Sequence, residues 1–250
     1  MTKFNGIIDA DTLRKSLESS IKLSFEPIMQ IKKDGIYIQD ADNNTSPALI
    51  LSIFISKKAF DEYNYEKDME IKYRGQTLYD NLKRLWGGII FGTEGEKIQL
   101  VETDGGKKFE MRLLAIEKDK EKDIAEFFEK LETYKGEIKF GILNKQFKDA
   151  LKDALSLYDA KDWKSCDITT NEKGLFLSTE KDDGINKFEF KMLQKKFPKA
   201  KARFPLNQIS DAFASIHGEA TGEFSDNAPI KVVGEKNGIV VKFIIAPIMH

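Results

Sequence analysis

The sequence predicts an α+β fold made of two similar halves. Many short runs alternate apolar and polar residues at the period of a strand, and four short segments repeat large apolar residues at the period of a helix. The order of these elements also recurs, with Gly35 and Gly174, 139 positions apart, as matching points. Strand-rich halves with few helices predict helices grouped on one side of antiparallel sheet.

The first helix is predicted from Thr12 to Leu23, where Leu13, Leu17 and Ile21 recur at i, i+4, i+8 and Asp11 or Thr12 caps the start. The second runs from Thr77 to Trp86 on Leu78, Leu82 and Leu85, and Gly87 and Gly88 stop it. The third runs from Asn144 to Leu157 on Phe147, Leu151 and Leu155. The fourth runs from Leu206 to Ile216 on Ile209, Phe213 and Ile216, with Gly218 just beyond.

Strands are predicted at Ala48 to Ser56, in KIQLVET, KKFEMRLL and GEIKFGI, and in the closing run NGIVVKFIIAP. Asp104-Gly105-Gly106, Asp183-Gly184 and Asn237-Gly238 are the turns between such runs. The repeat is clearest where KDGIYIQD (Lys33 to Asp40) and EKGLFLST (Glu172 to Thr179) share the pattern charged-x-Gly-aliphatic-aromatic-aliphatic. The predicted domains are residues 1–116 and 137–250. Between them lies a charged connector, 117–136, whose Ile124, Phe127, Phe128 and Leu131 fall at helical spacing. Those aromatic residues form a docking surface or fold back onto the chain's own sheets.

Composition narrows the function. The 250 residues carry 40 Lys and Arg against 41 Asp and Glu, a formal net charge of −1. A uniformly basic nucleic-acid coat is excluded, whereas a basic face offset by acid elsewhere is not. Cys166 is the single cysteine, so neither an intrachain disulfide nor a cysteine zinc cluster can form. No stretch has the apolar length of a membrane span and the N-terminus lacks the apolar core of a signal peptide, so a soluble intracellular protein is expected. There is no phosphate loop, dinucleotide fingerprint, zinc-protease helix or nucleophile elbow. His217 and His250 are the only histidines, and nothing near Cys166 serves as its base. The pairs Asp9/Asp11 and Asp40/Asp42 fit turns and caps rather than a calcium loop. The residues therefore predict no catalytic step, no metal and no cofactor. Basic residues do stand off the apolar stripes: Arg14, Lys15 and Lys22 on the first helix, Lys83 and Arg84 on the second, and Lys145, Lys148 and Lys152 on the third. They are either ordinary solvated lysines or a surface touching phosphates without reading bases.

Motifs spread over the whole chain give a sharper reading. The ending DNAPIKVV followed by VKFIIAPI, the opening with LRKSLE, GIYIQDAD at Gly35 to Asp42, and Phe109-Glu110-Met111-Arg112 before the connector occur in this order. Together they resemble the sliding clamps of the proliferating cell nuclear antigen family. The resemblance implies two clamp domains per chain, with antiparallel sheets and two helices each. It implies a ring of three subunits around duplex DNA that confers processivity on DNA polymerase and tethers the clamp loader, flap nuclease and DNA ligase. Carried over by position, the DNA-facing residues are Arg14, Lys15, Lys22, Lys83, Lys145 and Lys148. The client groove comprises Ala41, Thr45, Phe127, Phe128, Leu131, Pro229, Ile244, Ala246 and Pro247.

The resemblance also implies a subunit interface that joins an edge at Lys107 to Leu114, with Lys107, Phe109 and Met111, to one at Asn186 to Met192, with Phe188 and Phe190. Asp80 stands where many relatives carry lysine, the fourth helix has no Lys or Arg, and the connector is longer and more charged than usual. Two alternatives stay open: a subunit of a heteromeric or checkpoint-type clamp, and a small-ligand-binding α+β protein.

Overall fold

The computed structural model describes residues 3–42, 49–116, 129, 132–159, 164–180 and 187–248. Two compact units make up the chain. One comprises Met1–Ala41, Leu51–Phe128 and Glu235–Val241, the other Asp42–Ile50, Glu129–Gly234 and Lys242–His250.

The first nine strands and two helices come in the order β1 (Phe4–Asp9), α1 (Ala10–Leu23), β2 (Ile28–Lys32), β3 (Gly35–Asp42), β4 (Leu49–Ser56), β5 (Glu62–Tyr65), β6 (Met69–Lys72), α2 (Gly75–Leu82), β7 (Gly88–Glu94), β8 (Lys97–Glu102) and β9 (Lys108–Arg112). The rest are β10 (Ile138–Leu143), α3 (Asn144–Ser156), β11 (Ser165–Asn171), β12 (Gly174–Glu180), β13 (Lys187–Leu193), β14 (Ala200–Pro205), α4 (Leu206–Phe213), β15 (Glu219–Phe224), β16 (Ile230–Lys236) and β17 (Ile239–Ile245).

The duplication predicted from the sequence is present in the strand order. The series β1-β7-β8-β9 has its counterpart in β10-β15-β16-β17, and β4-β3-β2-β6 has its counterpart in β13-β12-β11-β14. Gly35 and Gly174 begin matching strands and are glycine for the same reason. A Cβ on Gly35 would stand 2.3 Å from the Ile55 carbonyl oxygen, and one on Gly174 would stand 2.1 Å from that of Leu193. A neighbouring backbone approaches both so closely that no side chain fits.

The helices form where the leucine and phenylalanine stripes run, but their ends differ from the predicted ones. Asp9, not Asp11 or Thr12, caps α1: its carboxylate accepts from the Thr12 amide at 2.8 Å. Helices α2 and α4 stop earlier than the stripes suggest. The Leu85 amide donates to Leu82 and the Ile216 amide to Phe213, so the last apolar residues sit in tight i→i+3 turns while remaining buried. At Asn237-Gly238 the turn is as predicted, with φ of 52° and 76° at its two central residues. The Asp183-Gly184 turn lies outside the described residues.

In each unit the two helices lie side by side. The Ala10 amide donates to the Gly87 carbonyl at one end of α1, and the Gly75 amide donates to the Phe25 carbonyl at the other, so α1 and α2 are antiparallel. Phe4 is the aromatic hub of the first core, with ring centroids 5.0 Å from Tyr63 and 5.8 Å from Phe91. In the second core Phe213 stands 4.4 Å from Phe147 and 5.1 Å from Phe243. Edge-to-face rings at these distances add to the stabilisation from burial alone.

Candidate nucleic-acid and partner interfaces

Helix geometry decides where the basic residues point. In α1, Leu13 and Leu17 are fully buried, which turns Arg14 and Lys15 away from the core. Arg14 donates to the Asp11 carboxylate and, at 3.3 Å, to the Tyr79 hydroxyl of α2, and Lys15 pairs with the same Asp11. Lys83 lies 3.3 Å from Asp80 and 4.5 Å from the centroid of the Tyr79 ring. Hydrogen bonds from Lys15 and Arg14 hold the Asp11 carboxyl below its ordinary range. Those from Gln76 and Lys83 do the same for Asp80. Three of the predicted DNA-facing residues thus already carry a carboxylate partner. Such exposed pairs stabilise by about 0–1 kcal/mol and are weak enough to exchange for phosphate.

The second unit differs. Lys145 and Lys152 are exposed on α3, and neither has a carboxylate partner among the described residues. Lys148, between them, is half-buried and donates to the Ala214 carbonyl at 3.0 Å. Ala214 is the C-cap of α4, so the ammonium lies at the negative end of that helix. The positive charge that α4 lacks in sequence is supplied at its end by α3. Lys22 is exposed in the last turn of α1.

The strand order leaves β9 at one end of its sheet and β13 at one end of another, the two edges expected from sequence. In β9 Phe109 and Met111 face inward while Lys108, Glu110 and Arg112 are exposed. In β13 Phe188 and Phe190 face inward while Lys187, Glu189 and Lys191 are exposed. Glu110 is held by Lys97 and Lys108, each at 2.9 Å, and these two push its carboxyl down to about 2. The edge opposite β13 is closed by the chain itself. The Lys201 amide of β14 donates to Asp226, its carbonyl accepts from the Asn227 amide, and the Arg203 carbonyl accepts from the Ile248 amide.

The tail that closes β14 carries three of the predicted groove residues or their neighbours. Ala246 and Pro247 are half-buried, as is Pro229 before β16. Ile244 is only 6% exposed, so little of its side chain is open to a partner. Ala41 is half-buried in β3 of the other unit. Thr45, Phe127, Phe128 and Leu131 lie outside the described residues.

Sequence reasoning missed the anchor near the end of the connector. The Tyr134 hydroxyl donates to the Pro229 carbonyl at 2.5 Å, and the Tyr134 carbonyl accepts from Lys231 at 3.3 Å. Lys231 is 8% exposed and lies 3.7 Å from Glu223, while Lys242 pairs with Glu132 at 2.7 Å. These bonds fix residues 132–134 across β16 and β17. No local signal marked it: Lys231 stands on the strand face opposite the fully buried Ile230 and Val232, where a lysine is ordinarily exposed, and its burial is not readable from the local alternation.

Cys166 is buried, and burial, reinforced by Asp167, pushes its thiol up, which disfavours the nucleophilic thiolate. On the same sheet Asp167 accepts from Arg203 at 2.8 and 3.2 Å and pairs with Lys201 at 2.9 Å. Burial opposes its ionisation, but these two cations outweigh it and hold the carboxyl below the usual range. Among the described residues no group of His, Cys, Asp and Glu is arranged to hold a metal ion.

No protein-family model matches the sequence, and no curated protein matches it. Solved structures do. The proliferating cellular nuclear antigen from Entamoeba histolytica superposes with a TM-score of 0.83 at 20% identity, covering 100% of both chains. The PCNA of A. fulgidus, solved with the C-terminal region of FEN-1 bound, gives a TM-score of 0.79 at 16% identity over 99% of each chain. A chain of the PCNA2–PCNA3 complex from Sulfolobus tokodaii gives 0.78 at 18% identity, covering 97% of this chain and 98% of that one. Over essentially its whole length, this chain has the fold of the proliferating cell nuclear antigen clamps.

Proposed function

We propose that the chain is a subunit of a DNA sliding clamp, a non-catalytic ring that encircles duplex DNA, confers processivity on DNA polymerase and tethers the clamp loader, flap nuclease and DNA ligase. The observation that carries this reading is the full-length fold match, from first strand to tail, in a chain whose β9 and β13 stand at sheet ends with no further strand beside them among the described residues. A closed ring holds DNA topologically, so its contacts can be weak and independent of sequence. That suits helices on which Arg14, Lys15 and Lys83 already carry carboxylate partners, and a chain with a net charge of −1. In this reading residues 1–116 and 137–250 are the two clamp domains and 117–136 the connector. Arg14, Lys15, Lys22, Lys83, Lys145 and Lys148 face the DNA. Client docking is assigned to Ala41, Thr45, the connector residues Phe127, Phe128 and Leu131, and Pro229, Ile244, Ala246 and Pro247. The FEN-1 segment bound to the A. fulgidus protein supports a peptide-type client.

The test is retention. Loaded by an active clamp loader onto a nicked circular plasmid, the protein should survive extensive washing and be released when the plasmid is linearised. Equal loss from circular and linear DNA would overturn the reading. The two-protein complex from Sulfolobus tokodaii supports a second reading, in which the ring contains non-identical chains.

A further inference from the structure

Charge is not spread evenly over the second unit. Residues 191–203, KMLQKKFPKAKAR, hold five Lys and one Arg and no Asp or Glu, in a chain whose acids and bases otherwise nearly balance. Lys195, Lys196 and Lys199 stand exposed between β13 and β14, and none has a carboxylate partner among the described residues. Lys201 and Arg203 do have one, Asp167, at 2.9 and 2.8 Å. Of the other acids nearby, Glu172 stands beside Lys173 in the turn from β11 to β12, and Asp226 accepts from the Lys201 amide at 2.8 Å.

The loop that carries these three lysines is pinned. Phe197 is 9% exposed, its amide donates to the Asn171 carbonyl at 3.1 Å, and the Thr170 hydroxyl donates to the Pro198 carbonyl at 2.7 Å. The cations are therefore presented from a fixed backbone, which lowers the ordering cost of binding. Cations gathered without acid repel one another. A partner of opposite charge relieves that repulsion and is steered toward it.

Two placements name the partner. Lys199, Lys201 and Arg203 alternate with buried Ala200, Ala202 and Phe204, and α4 packs on β14 from the buried side. The cations thus stand on the face of this sheet turned away from the helices to which DNA contact is assigned, which disfavours the encircled duplex as their partner. The same strand borders segments of the client groove. The Arg203 carbonyl accepts from the Ile248 amide, next to Ala246 and Pro247, and the Lys201 carbonyl accepts from the Asn227 amide, shortly before Pro229. Lys199 lies about 13 Å along the strand from Arg203, a span that about four residues of extended peptide cover.

We infer that the loop at 195–199 is a docking site for an acidic segment of a client, about four to six residues from the apolar anchor that occupies the groove. The inference rests on the client-docking reading and adds to it the charge of the partner beside its anchor.

The test uses the full chain and a peptide from the C-terminal region of FEN-1, the segment bound to the A. fulgidus protein. The peptide is extended at one end or the other by four Glu, four Ser or four Lys, and affinity is read by fluorescence anisotropy in about 50 and about 300 mM salt. At one of the two ends the Glu extension should tighten binding about tenfold relative to Ser at the lower salt, the combined effect of three exposed ion pairs. The gain should shrink to about twofold at the higher salt. Lys195→Glu combined with Lys196→Glu and Lys199→Glu should abolish the gain and transfer it to the Lys-extended peptide, while the Ser-extended peptide binds as it does to wild type. Equal affinity of Glu- and Ser-extended peptides at both ends would overturn the acidic partner and leave client docking intact. Binding of none of the peptides would overturn client docking, and the inference with it. A triple variant that loses affinity for a short open duplex as much as Lys145→Ala does would assign these cations to DNA and overturn the inference as well.

Discussion

The two helix pairs occupy matching places in the duplicated plan and are held in different ways. Between α1 and α2 the visible tie is polar: Arg14 reaches Tyr79, and Lys83 covers the Tyr79 ring. Between α3 and α4 the tie is aromatic, Phe147 against Phe213, with Lys148 bonded to the end of α4. The apolar stripes recur in both halves, whereas the pattern of charge does not. Packing a helix pair onto sheet demands the stripe. The opposite face has no such demand, so its charges are free to serve another purpose.

The largest expected effect tests the packing side of this contrast. Phe213 is fully buried, so Phe213→Ala should cost the second unit about 3–5 kcal/mol. Arg14→Ala removes only a surface tie and should cost the first unit about 1 kcal/mol or less. Equal losses in urea unfolding would break the comparison. The next effect tests the charged faces. Replacing Lys145 with alanine should lower the slope of log affinity for duplex DNA against log salt by about 1. Asp80→Asn should strengthen binding by releasing Lys83. If Lys15→Ala lowers the slope as much as Lys145→Ala does, the carboxylate pairing in the first unit has no bearing on DNA contact.

The smallest effect concerns acid. The folded-state pKa of Asp167 lies below its ordinary 3.8, so its contribution to stability is present above that value. It is lost as pH falls through the lower folded value. Asp167→Asn should therefore flatten the fall of the thermal midpoint below about pH 4, by on the order of 1 kcal/mol. Asp80→Asn, at an exposed site, should change that profile less. An unchanged profile in Asp167→Asn would place the acid sensitivity elsewhere.

Much of the fold was legible because the sequence carries it in local periodicity. The four stripes located the helices, and KDGIYIQD with EKGLFLST located the duplication through two glycines that each meet a neighbouring carbonyl. Helix ends were less legible, since Leu85 and Ile216 stay buried after the helical hydrogen bonds have given way to tighter turns. The edges at β9 and β13 were placed by resemblance, and their alternating charges agree with open strands. Long-range polar pairing was invisible. Nothing local in the sequence says that Lys148 bonds to Ala214, that Tyr134 bonds to Pro229, or that Asp226 and Ile248 close β14.

That closure sets the valence of the sheet. With β14 capped by its own turn and tail, the β13 side is the one that can grow, and β9 is its complement. A polymer chemist would call a subunit that joins through these two edges an AB monomer, with β13 as one reactive end and β9 as the other. In the ring reading its products are closed cycles or linear chains, and a copy spoiled at β9 alone acts as a chain stopper. It still offers β13 to a neighbour but cannot complete the cycle. A small fraction of such copies in a mixture should therefore deplete closed rings out of proportion to their number.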